Sequence, residues 1–405
     1  MPSRLLIVPT SAAIALAATL VAGRVAAPDQ SRATHDTSPD AVLRVARNVP
    51  DAIILTDGVR KWRASTQRLG VDSDTHTFRS ALASSYLERL APVVAYPGVN
   101  ATVLRAPDGT VTITKSQMAR KLDVPGTLAK LQEFLQNPTE DAIVHVAIAK
   151  TKPAVATEDL EGINARLSTF TTHYNTGDRD RTYNLRMVAK KLDGAVIPPG
   201  ATFSFNERVG PRDEDGGFRM AKVYVNGKIS EGIGGGTCQV SGTLYNAALL
   251  AGLTPISRTH HSMTVAYLPP GRDATVDYGN IDLKLRNDAD TPAYIRAVAR
   301  GGRLTVSIYG GAQPDRRIRL FTETRKVGDK LRAKAYRIVE RDGCIERKEL
   351  LSTDIYRPKP PGTKPARRRT VRRATVAARV TPQPKHRDEE ETAWRAAASQ
   401  RQASQ

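Results

Sequence analysis

Three consecutive glycines, Gly234-Gly235-Gly236, run straight into Thr237-Cys238-Gln239, so one of the chain's two cysteines follows a stretch of very permissive backbone. Glycine is used where a chain must take a positive φ or let another backbone or a ligand come close. The segment behind it, Val240 to Leu250, reads as a helix. Val240, Leu244, Ala247, Ala248 and Ala251 recur at helical spacing and predict one buried stripe. Thr237 is the expected N-cap and Gly252 the expected stop, with Pro255 just beyond. Cys238 then sits in the first helical turn, where unpaired N–H groups and the positive end of the dipole favour a thiolate. Gly235, Gly236 and Thr237 would form a loop whose N–H groups can receive an oxyanion. The plainer reading is a small apolar side chain filling a tight loop-to-helix junction.

A nucleophilic thiol needs a base, most simply an imidazole. Of the seven histidines, His35 and His386 lie in low-complexity ends and His76 in a polar stretch. His145 falls inside the apolar run from Ala142 to Ile148 and reads as a strand residue, while His173 stays open. His260 and His261 follow the expected helix. His261-Ser262-Met263-Thr264-Val265-Ala266-Tyr267 has the β-branched and aromatic content of a strand. Helix, short loop and strand would return the strand's start to the helix N-terminus and form a Cys–His pair. Two exposed loop histidines are the alternative.

Several blocks in order resemble the VanW family: Phe203-Ser204-Phe205-Asn206, Val209-Gly210, the run from Gly234 to Ser241, Leu244-Tyr245-Asn246-Ala247, Arg258 with His261-Ser262, and Gly271 to Val276. Gly242 departs from the pattern, which carries Thr there. The resemblance implies a bacterial envelope protein of a family named from glycopeptide-resistance clusters. Some of its members are understood as cysteine-dependent L,D-transpeptidases, which cross-link peptidoglycan. The Ser-His-Gly-Cys box of the better-known L,D-transpeptidase fold is not present in this sequence. Carried onto these residues, Cys238 is the nucleophile. His261 rather than His260 is the base, because the pattern reads Arg, two residues, His, Ser. Asp273 and Asp282 are candidates to orient the imidazole, with Asp273 carried forward. Arg258 and Arg272 are candidates for a substrate carboxylate, which a planar guanidinium matches. Gln239 and Asn246 are candidates to line the site.

The rest of the chain suits such a protein. Leu5 to Gly23 is almost wholly apolar behind Arg4, so residues 1–27 are expected to be a signal peptide or a single membrane anchor. Either places the body outside the cytoplasm. Residues 28–47 read as a linker. A small α+β domain is expected over 48–157, with a hairpin around Pro107-Asp108-Gly109, a helix opening at Pro125 and a strand from Ala142 to Ile148. Its place resembles that of the peptidoglycan-binding module often found ahead of a VanW domain. A β-rich α+β domain is expected over 158–316, opening with a helical stretch near 158–192. Within it, strands are expected at Phe203–Val209, Val223–Lys228, Asp282–Leu285, Ala293–Val298 and Leu304–Tyr309. A β-hairpin over 317–357 follows, then a basic tail over 358–405 too poor in apolar residues to fold.

The net charge of +20 favours anionic partners: stem-peptide carboxylates, acidic wall polymers or lipid head groups. The export signal argues against nucleic acid. A Cys238–Cys344 disulfide would silence the nucleophile. A metal site of Cys238, His260 and His261 is disfavoured, since adjacent strand residues point apart. No cofactor motif is present in the sequence. A non-catalytic wall-binding scaffold, using the same loop and basic surface, is the competing class of function.

Overall fold

The computed structural model describes residues 42–358 apart from 226 and 227. The expected signal or anchor, most of the expected linker and nearly all of the basic tail lie outside the described residues. Among the described residues no helix is long and apolar enough to cross a membrane. The described chain divides into two compact units, one built from 42–90 and Val124–Ala147, the other from Ala91–Asp123 and 148–358. The segment 48–157, expected as one domain, is thus shared between them.

The first unit is a small α+β assembly. Strand Ala52–Thr56 pairs antiparallel with Lys61–Ser65 and parallel with Ile143–His145. His145 is an exposed strand residue, as its apolar neighbours predict. Helix Val124–Gln136 opens with Pro125, whose fixed φ suits a first turn, and buries Leu131, Phe134 and Leu135. Ile53, Leu55, Leu69, Phe78 and Leu87 complete a core from which water is excluded.

The second unit is β-rich α+β. Its main sheet is antiparallel, in the order β1 (Ala165–His173), β9 (Arg303–Gly310), β8 (Ala293–Arg300) and β2 (Ala195–Ile197). Two helices lie on it, α1 (Arg179–Leu192) and α3 (Thr237–Ala251). A smaller sheet joins β3 (Thr202–Ser204), β7 (Lys284–Arg286) and β6 (Thr254–Ser257). The hairpin β4 (Met220–Val225) and β5 (Lys228–Ile233) leads into the glycine loop. The Pro107-Asp108-Gly109 turn joins strands Val103–Arg105 and Val111–Ile113, and Ala101 and Val103 pack with Leu160, Ile163, Tyr294 and Tyr309.

Four sequence expectations are corrected here. The stretch near 158–192 is not helical throughout. Its first half is β1, whose Thr- and Phe-bearing alternation suits a pleated surface, and only Arg179–Leu192 is helix, capped by the Asp178 side chain. Phe203–Val209 is not one strand. Ser204 accepts from the Glu207 N–H at 3.1 Å and starts the short helix α2 (Phe205–Val209). The segment His261–Tyr267 is not a strand, and its backbone is held by the Asp273 side chain and by the Arg357 N–H instead of a ladder. Residues 317–357 form no simple hairpin but a three-stranded antiparallel sheet: β10 (Arg316–Val327), β11 (Lys330–Arg341) and β12 (Cys344–Tyr356). Asp342-Gly343 makes the expected turn, both residues at positive φ.

Helix α3 is buried on every side rather than along one stripe; every residue from Gln239 to Leu250 is inside. Its glutamine, serine, threonine and asparagine side chains inside the core are each paired. Gln239 Nε2 donates to Thr172 Oγ1 and to the His173 carbonyl, and Ser241 donates to the Ala274 carbonyl at 2.7 Å. Thr243 shares a 2.8 Å hydrogen bond with Thr172, and Asn246 donates to the Gly242 and Arg272 carbonyls. A polar group without a partner here would cost about 1–3 kcal/mol, so these bonds fix the helix's depth and rotation. At Gly242 a Cβ would come within 2.6 Å of Leu268 Cδ1, so a side chain here would require that leucine to turn aside.

Candidate active site

The glycine loop aims the start of α3. Gly236 takes φ 109° and is the N-cap, so the helix begins one residue earlier than a Thr237 cap implies. Thr237 caps nothing; its N–H and hydroxyl both go back to the Gly234 carbonyl, at 3.2 and 2.7 Å. At Gly235 a Cβ would stand 2.7 Å from the Lys222 carbonyl oxygen, so only glycine lets the loop pass β4. The N–H groups of Gly235, Gly236 and Cys238 have no acceptor among the described residues. Cys238 follows in the first turn, half-buried, with Sγ 3.6 Å from the Val276 carbonyl oxygen.

The Cys238 thiol lies close enough to the His261 side chain for each to shift the other's pKa. The His261 imidazole is 7 % exposed, and its Nδ1 lies 2.6 Å from Asp273 Oδ2, which also accepts the His261 backbone N–H at 2.7 Å. With Nδ1 occupied, Nε2 is the ring nitrogen left for Cys238. The Thr259–Thr275 bridge brings the His261 and Asp273 segments together. Asp273 Oδ1 accepts from the Tyr356 hydroxyl at 2.6 Å and from Arg258 Nη2 at 3.3 Å. Tyr356 accepts in turn from the Gly271 N–H, and Arg258 Nη1 donates to Asp354 at 2.6 Å. Strand β12 therefore supplies Tyr356, which bonds Asp273 directly, and Asp354, which holds Arg258 beside it.

These contacts set the charges. Burial disfavours the Cys238 thiolate, but the hydrogen bond and charge of His261 outweigh it and lower the thiol's pKa. Burial likewise opposes the His261 imidazolium, yet Asp273 and Cys238 raise it to about 9. Burial raises Asp273, while hydrogen bonds from His261 and Tyr356 bring it below the usual carboxylate range. All three directions favour thiolate, imidazolium and carboxylate together. A thiolate beside an imidazolium can attack a carbonyl and return a proton to the leaving group.

Other expected site residues lie elsewhere in the network. Arg258 is buried between Asp273 and Asp354 and holds the carboxylate that orients His261, so it is not a free substrate ligand. Gln239 is 1 % exposed and braces Arg181 and β1. Asn246 is fully buried and bonds Arg272 Nε, while the Arg272 guanidinium packs over Phe170. Burial lowers the Arg272 pKa to about 10. Asp282 accepts from the Ser204 hydroxyl and the Asn206 N–H, stabilising the start of α2 rather than the imidazole. His260 turns Nδ1 to the His261 carbonyl and its ring edge-on to Tyr356. Cys344 is exposed at the start of β12, and both cysteines are free thiols, not a disulfide. Tyr356, Asp354 and Arg212 were not foreseen. No local motif marks Tyr356 or Asp354, since strand pairing alone delivers them.

Residues 180–309 match the family model described as VanW like protein. The chain is 40% identical over 168 residues to the uncharacterized protein YoaR of Bacillus subtilis, covering 41% of this chain and 55% of that protein. It is 34% identical over 152 residues to the vancomycin B-type resistance protein VanW of Enterococcus faecalis, covering 35% of this chain and 55% of that protein. The chain thus spans about half the length of these curated relatives. No solved structure matches it. The family match begins after the segment expected to bind peptidoglycan and ends before Tyr356.

Proposed function

We propose that this chain, which belongs to the VanW family, is a cell-envelope cysteine acyltransferase of L,D-transpeptidase type acting on peptidoglycan stem peptides. The observation that carries the chemistry is the His261–Asp273 hydrogen bond with the Cys238 thiol within interaction range of the same imidazole, beside three unengaged N–H groups. The cell-wall setting rests on the relative named for vancomycin resistance and on a net charge of +20, suited to an anionic envelope.

In this reading the thiol proton already resides on His261, which Asp273 keeps in the required tautomer. The thiolate attacks a stem-peptide carbonyl. The developing oxyanion is received by N–H groups of Gly235, Gly236 and Cys238. The tetrahedral adduct collapses: the C–N bond breaks, the leaving amine takes the proton from His261, and a thioester remains on Cys238. An amine of a neighbouring stem, deprotonated by His261, then attacks the thioester and restores the thiol. Water in its place gives a carboxypeptidase.

The test is intact-mass spectrometry of the reduced full chain incubated with a tetrapeptide-bearing muropeptide, beside Cys238→Ala and His261→Ala. The expected result is an acyl adduct on Cys238, with D-alanine released or cross-links formed, lost in both variants. Full turnover by Cys238→Ala would defeat the thioester mechanism. Binding without adduct or product in any variant would identify a wall-binding scaffold.

A further inference from the structure

Arg212 stands against the glycine loop, in the turn between α2 and β4. A Cβ at Gly234 would meet the Arg212 Cβ at 2.9 Å. Its guanidinium lies over the Tyr278 ring, 5.6 Å from the centroid, and Nη1 donates to the Gly210 carbonyl at 3.1 Å. Nη2 is buried and has no hydrogen-bond partner among the described residues. The negative charges acting on it are, in order, the Cys238 thiolate, Asp277 and Asp282. Neither carboxylate is bonded to it: Asp282 serves Ser204 and Asn206, and Asp277 Oδ2 takes the Asn280 amide.

The contrast with arginines whose side chains are buried is informative. Arg258 and Arg337 each hold a carboxylate, at 2.6 and 2.9 Å. Arg212 instead carries its charge into the site without an acid to match it, and burial lowers its pKa. Among the described residues Nη2 is left without an acceptor and no carboxylate is bonded to the guanidinium, and an arriving anion supplies both. A guanidinium is shaped for a carboxylate, to which it donates two parallel hydrogen bonds. The thiolate cannot fill this role alone, since it is already paired with His261.

We infer that Arg212 is a substrate-recognition residue of the Cys238 site, and that it binds the free C-terminal carboxylate of the acyl donor. The inference rests on the acyltransferase reading and narrows its substrate class. The donor is a peptide ending close to its scissile bond, and the group expelled is a small amino acid rather than a length of chain. When the S–C bond forms and the C–N bond breaks, the departing amine takes its proton from His261 and carries the carboxylate away. Arg212 is then vacated before the acceptor enters, and an acceptor amine needs no carboxylate at that position.

The test compares two ligands, a stem tetrapeptide ending in D-alanine and the same peptide as its C-terminal amide. Binding is measured by calorimetry on the full chain carrying Cys238→Ala, where no chemistry intervenes, with and without Arg212→Gln. The expected result is a preference for the carboxylate of about ten- to a hundredfold, a charge-assisted hydrogen bond's worth. Arg212→Gln should abolish that preference, and Arg212→Lys should restore part of it. Equal affinity for the two peptides, absence of binding by either, or a preference that survives Arg212→Gln would each overturn the inference. In chains that keep Cys238, a rise in the pH midpoint of alkylation on Arg212→Gln, with ligand preference unchanged, would make Arg212 only a thiolate partner and also overturn it. Failure of the acyltransferase reading is seen separately, as no thioester mass on Cys238 while the Arg212-dependent preference remains.

Discussion

Replacing Asp273 by Asn tests whether the carboxylate, and not merely its shape, prepares Cys238. Asp273 is 1 % exposed and accepts four hydrogen bonds, two from His261 and one each from Tyr356 and Arg258. The rise of His261 from 6.5 to about 9 is a preference for the imidazolium of about 3 kcal/mol. That preference is shared between Asp273 and the Cys238 thiolate. Losing the Asp273 charge is expected to lower the thiolate–imidazolium population by on the order of tenfold. Asn adds a second effect in the same direction. Its NH2 can turn to Nδ1, driving the ring proton onto Nε2, where it faces Cys238 instead of accepting from it.

The assay is the rate of iodoacetamide alkylation against pH. It is run in a Cys344→Ser background, because Cys344 is exposed and would react as well. The unchanged site should alkylate with a midpoint below about 8.5, the value of a free thiol. Asp273→Asn should raise that midpoint by about one pH unit. The sign follows from linkage: an imidazolium stabilises the thiolate most below its own pKa and loses that effect as pH rises through about 9. A midpoint unchanged in a variant with unaltered circular dichroism would refute the electrostatic coupling.

Two further changes bear on the surroundings of the site. Tyr356→Phe keeps the ring but removes a 2.6 Å hydrogen bond to Asp273 and the acceptor of the Gly271 N–H; a stability loss of about 1–3 kcal/mol in urea unfolding and a higher alkylation midpoint are expected, and an unmoved midpoint would show that the strand only braces the fold. Gly236→Ala forces a side chain to φ 109° beside the Arg181 carbonyl, so a stability loss of about 1–3 kcal/mol and slower alkylation of Cys238 are expected in the same two measurements.

The glycine loop and the helix behind it were readable in the chain itself, whereas the preference for His261 over His260 came only from the family resemblance. Loop and helix depend on local chemistry: glycine where φ is positive and helical spacing behind it. The helix's stop at Gly252 and the turns at Pro107-Asp108-Gly109 and Asp342-Gly343 belong to the same class. What local pattern misjudged were segments shaped by distant partners. Ala165–His173 is a strand because β9 pairs with it, and His261–Tyr267 is irregular because Asp273 and Arg357, just past β12, bind its backbone.

Tertiary structure alone decided the roles of the polar residues. Arg258, Gln239 and Asn246 carry groups suited to a substrate, yet burial commits their hydrogen bonds within the protein, since an unmatched polar group inside is costly. Asp273 and Asp282 are alike as sequence; one lies against His261 and the other caps a helix. Tyr356 stands far along the chain from Cys238, outside the family match, and reaches Asp273 only because a three-stranded sheet carries it there. Sequence determines which groups are available and what the nearby backbone can do. Which of them meet, and which are left with a hydrogen bond to offer, is settled by packing between segments remote in the chain.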